Sequence, residues 1–66
     1  MSVITLMAAV AGIINKKMPS RKEDAANELS RLEQLLGQAL KENEDLLSSQ
    51  IRARMKELRH AFPDIE

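Results

Sequence analysis

The sequence predicts an all-α protein: a short N-terminal helix and a long second helix folded into a hairpin, which assembles as a homo-oligomeric helical bundle. Three observations carry this prediction. An uncharged apolar run, VITLMAAVAGII, opens the chain, and Pro19 punctuates it with no further proline until Pro63. From residue 21 onward Leu, Ala, Glu, Lys, Gln and Arg dominate, all good helix formers, with an apolar residue at every third or fourth position.

The first helix is expected over about residues 2–16. Asn15, Lys16 and Lys17 follow the apolar run, and their charge suits the negative end of a helix dipole. A signal peptide carries its positive charge ahead of the apolar core, the reverse of this order. The run from Val3 to Ile14 is also shorter than the roughly 20 residues that cross a bilayer. Lys16, Lys17, Arg21 and Lys22 offer charge to anionic headgroups, yet an interfacial helix displays a strongly polar face. Here Ser2, Thr5 and Gly12 alone relieve the apolarity, which reads as a helix enclosed on most sides.

A turn follows at about 17–20, because Pro19 cannot continue an upstream helix. Ser20 and Glu23 have the spacing of a capping box, so a new helix is predicted from Arg21, with Glu23 and Asp24 in its first turn. That helix is expected to run to about residue 60, where it would be about 60 Å long, too long for a monomeric globule. Gly37 weakens it by about 1 kcal/mol without ending it. The competing architecture is a three-helix bundle with a break near 43–49, at Asn43 or at Ser48 and Ser49. Continuity is preferred because Asn43, Glu44 and Asp45 include neither Gly nor Pro. Beyond Pro63 the tail, residues 63–66, is expected to fray unless Ile65 docks on a partner.

The stripe along the long helix comprises Leu29, Leu32, Leu36, Leu40, Leu47, Ile51, Met55, Leu58 and Phe62, with Glu44 at a missing step and Leu35 and Leu46 on one flank. It repeats in steps of eleven, Leu29 to Leu40 to Ile51 to Phe62, a period of about 3.67 residues per turn. A strict heptad from Leu29 and Leu36 lands on Asn43 and Gln50, so the seam suits a bundle better than a long left-handed coiled coil.

Composition restricts the chemistry. Sixty-six residues make one domain, and a chain of this size buries only about 60% of its unfolded surface, which favours sharing a core between copies. There is no Cys, the ten basic and ten acidic residues cancel, and Phe62 is the one aromatic. His60 stands alone, so one chain offers no histidine cluster for a triad or a zinc site. Glu42, Glu44 and Asp45 lack calcium-loop spacing, and Gly12 and Gly37 belong to no phosphate-cradling loop. The expectation is a non-enzymatic protein with no cofactor and no metal.

The function expected is that of a cytoplasmic protein–protein interaction module, such as an adaptor, inhibitor or regulatory subunit, with a homodimer favoured. Ile4, Met7, Val10, Ile14, Leu29, Leu36, Leu40, Leu47, Ile51, Leu58 and Phe62 would form the oligomer or partner interface. Two other classes compete. Arg52, Arg54, Lys56, Arg59 and His60 form a basic stretch that a small dimeric nucleic-acid-binding regulator would present to phosphates, although Glu57 interrupts it and the net charge is zero. Peripheral membrane association through residues 2–17 is the other. Both nucleic acid and a membrane surface are disfavoured as partners.

Overall fold

Three helices form, not two. The computed structural model describes residues 3–14 and 17–65, and gives α1 at Val3–Ile14, α2 at Lys22–Lys41 and α3 at Asp45–Ala61. Met1, Ser2, Asn15, Lys16 and Glu66, and the side chains of Val3 and Ile14, lie outside the described residues, and with them the predicted interface role of Ile14.

The predicted 21–60 helix is corrected by a chain reversal at Glu42, Asn43 and Glu44. The Glu44 amide donates to the Ala39 carbonyl at 2.8 Å and the Asn43 amide to the Leu40 carbonyl at 3.2 Å, while Asn43 sits at φ 58°. These are the six-to-one and five-to-two bonds that close a helix C-terminus around a left-handed residue. Asn is the side chain best able to replace Gly in that conformation, which is how a stretch with neither Gly nor Pro turns. Glu44, the missing step of the apolar stripe, is the residue that precedes α3. The competing three-helix architecture is therefore the one adopted.

At the start of α2 the capping box does not form. Arg21 occupies the cap position in extended backbone, no side chain caps the helix, and the Arg21 carbonyl accepts the Ala25 amide at 3.0 Å. Arg21 instead lies 3.8 Å from Glu23 and 3.6 Å from Asp24, exposed pairs worth little.

The core gathers one face of each helix. Leu6, Val10 and Ile13 enter from α1, Ala25, Leu29, Leu32, Leu35 and Ala39 from α2, and Leu47, Ile51, Met55 and Leu58 from α3. Leu36 and Phe62 pack against it part-buried, whereas Leu40 is 50% exposed. The buried face of α2 runs through Leu35 and Ala39 because this helix is clasped by α1 on one side and α3 on the other, so its inward direction lies between them. Beyond α3, Ile65 is buried on the same core and its amide reaches the Phe62 carbonyl at 3.1 Å. The Cα radius of gyration, 11.4 Å, is close to the roughly 11 Å of a compact domain of this length.

Gly37 is neither a bend nor a close crossing, since a Cβ built there meets nothing within 4 Å and its φ is not positive. Urea unfolding should distinguish the residue that turns the chain from the one that only weakens a helix. Asn43→Ile should lower stability by about 1–2 kcal/mol, and Gly37→Ala should raise it by up to about 1 kcal/mol. An Asn43→Ile chain as stable as the wild type would mean that no left-handed turn exists at this position.

Candidate functional site

Arg54 was expected on a basic surface patch, but the structure places it in the core at 6% exposure. Helical spacing explains this: residues 47, 51, 54 and 58 share one face, so Arg54 occupies a step of the stripe between Ile51 and Leu58. Its Nε donates to Glu28 Oε2 at 2.6 Å and its Nη2 to Glu28 Oε1 at 3.3 Å, a forked pair with both side chains nearly enclosed. Nη2 also reaches the Lys17 carbonyl at 3.5 Å. One guanidinium thus joins α3, α2 and the segment after α1.

The Arg54 pKa is raised, chiefly by the Glu28 hydrogen bond and further by the charges of Glu28 and Glu57, against the opposing effect of burial. A cation whose pKa rises on folding contributes its stability below the unfolded pKa and loses it only above the folded one. For a guanidinium that loss lies at extreme alkaline pH, so Arg54 carries its charge around neutral pH. Ser48 is the other buried polar residue among the described residues, and its Oγ has no hydrogen-bond partner.

The remaining basic residues stay outside. Arg52, Lys56, Arg59 and His60 are exposed, and Arg59 Nη2 approaches Glu33 Oε1 at 3.9 Å. The structure does not bring Arg54 together with them. Among the described residues, no group of three or more His, Asp or Glu side chains is arranged to hold a metal ion. Two shallow depressions open along the seam of α1 and α2. One is lined by Ile13, Lys17, Asp24, Glu28 and Arg31 among others, and the next by Ala9, Arg31, Gln34, Leu35, Gly37 and Gln38.

These depressions also fix the direction of α1. Ile13 lies beside the first half of α2 and Ala9 beside its second half, so α1 runs antiparallel to α2 and in the same sense as α3. Val3 lies about 16 Å along the axis from Ile14, which brings the start of α1 level with the last turn of α2 and the first turn of α3. At that end are Ile4, 81% exposed, Met7, Leu40 and Leu46, 72% exposed. Thus of the residues predicted as an interface, Val10, Leu29, Leu47, Ile51 and Leu58 close the core within one chain, whereas Ile4, Met7 and Leu40 stay exposed. Leu46, read only as a flank of the stripe, joins them.

The chain matches no protein-family model, no curated protein and no solved structure. No helix among the described residues is long and apolar enough to cross a membrane.

Replacing Glu28 by Ala should lower stability by about 3–5 kcal/mol, because it strands a buried cation. The double variant Glu28→Leu/Arg54→Met should recover most of the loss, with both read by denaturant unfolding. Equal destabilisation by the single and double variants would mean that packing, and not the stranded charge, sets the cost.

Proposed function

We propose that this protein is a non-enzymatic interaction module, an adaptor, inhibitor or regulatory subunit that works by docking on another protein. The observation that supports the reading is the division of α1. This helix carries no charged residue, yet only the face of Leu6, Val10 and Ile13 enters the core, leaving Ile4, Met7, Ala8 and Ala11 exposed at helical spacing. Water-facing positions of a helix that serves only its own fold are ordinarily polar, and a contiguous apolar surface on a small domain marks a contact site.

The homo-oligomer expected from the long-armed hairpin rested on two apolar surfaces left uncovered in a single copy, the distal stripe of the long helix and the outer face of the short one. In the three-helix bundle α2 and α3 cover each other, which removes the first of these grounds, while the outer face of α1 remains exposed. The nucleic-acid reading is weakened in turn, because Arg54 is committed to Glu28 and cannot join Arg52, Lys56 and Arg59 at a phosphate backbone.

Affinity capture with three chains tests the reading. Wild type and Arg52→Glu should retain the same stoichiometric protein, and Ile4→Glu should lose it while its unfolding free energy stays within about 0.5 kcal/mol of wild type, as a surface change should. Loss on Arg52→Glu with retention on Ile4→Glu would move the function to the basic face of α3.

A further inference from the structure

The exposed apolar end has a charged border, and its sign restricts what can dock there. Four large exposed apolar side chains, Ile4, Met7, Leu40 and Leu46, stand at the end of the bundle where α2 turns into α3. The turn itself supplies Glu42 and Glu44, and Asp45 opens α3, against Lys41 as the one cation of the segment 41–46. None of these carboxylates takes part in the ion pairs that hold the bundle, which use Glu28 and Glu33.

We infer that this end receives a basic amphipathic helix of a partner protein, with apolar side chains on Ile4, Met7 and Leu46 and Lys or Arg at the carboxylates of the turn. The inference rests on the interaction role proposed above and names the chemistry of the partner. Long basic side chains suit such a border, because their methylene stems cover apolar surface while the charged heads reach outward to the acids. The alternatives meet repulsion. An anionic bilayer would face Glu42, Glu44 and Asp45 directly. A second copy, docked symmetrically on the same end, would bring two sets of these carboxylates together, and like charges opposed across an interface are unfavourable.

Fluorescence anisotropy with synthetic peptides tests this on the whole chain. The probe is a peptide of about 18 residues with Leu at i, i+3, i+4 and i+7 spacing and Lys elsewhere. Its controls are a scrambled peptide of the same composition and a version with Glu for every Lys. The Lys peptide should bind saturably, with the two controls at least tenfold weaker. Ile4→Ser/Leu46→Ser should weaken it about tenfold, and Glu42→Gln/Asp45→Asn severalfold with a flatter salt dependence, neither changing the circular dichroism spectrum.

Equal or tighter binding of the Glu peptide would overturn the basic partner while leaving the docking role intact. So would a concentration-dependent dimer in sedimentation equilibrium that Ile4→Ser/Leu46→Ser dissociates, if neither peptide binds. Binding to phosphatidylserine vesicles that the same double variant abolishes would overturn both the basic partner and the protein-docking role. A chain that stays monomeric and binds neither peptides nor vesicles would overturn both as well.

Discussion

The Glu44 amide donates to the Ala39 carbonyl, and Asn43, held at φ 58°, turns the chain between them. The rest of the molecule depends on this reversal. Without it the apolar faces of residues 22–41 and 45–61 would lie along one rod, and a single copy could cover neither. With it Leu29 and Leu32 on α2 share a core with Ile51 and Leu58 on α3, and α1 lays Leu6, Val10 and Ile13 over the remaining side. A chain of this length has little burial to spare, so closing the core within one copy decides whether it can stand alone.

The buried guanidinium is admitted to that core on strict terms, unlike the Ser48 hydroxyl, which has no partner. Arg54 enters only with both Glu28 oxygens and the Lys17 carbonyl as acceptors. Replacing such a pair by apolar side chains often costs nothing, but breaking it leaves a buried charge, so any packing of the helices that separates Arg54 from Glu28 is penalised. The pair ties the segment after α1 to both other helices at one end of the bundle. At the opposite end the apolar side chains of Ile4 and Leu46 face water. The buried ion pair and the exposed apolar side chains thus lie at opposite ends of the molecule.

Much of this was legible in the chain. The apolar run, Pro19 and the composition after residue 21 identify the helices, and the stripe Leu47, Ile51, Met55, Leu58 is the face α3 buries. The reversal was harder to read because Asn43 is a weaker signal than Gly, its left-handed conformation being a second choice. The shift from Leu36 and Leu40 to Leu35 and Ala39 was not legible, since periodicity gives the width of an apolar arc and not which neighbours flank it. Arg54 did carry a signal, a charge on an apolar step, but the basic residues around it drew it into a surface patch. Ile4 and Met7 were expected at an interface and are exposed, whereas the exposure of Leu46 became visible only once the turn placed it at the start of α3.

Small-angle X-ray scattering from the untagged chain measures the central claim directly, because the reversal at Asn43 changes the length of the particle. The three-helix bundle extends 31 × 17 × 15 Å with a Cα radius of gyration of 11.4 Å, so a short, nearly globular scatterer is predicted. A particle of about 60 Å or more, the length of an unbroken helix from residue 21 to 60, would contradict the reversal and with it the closed core.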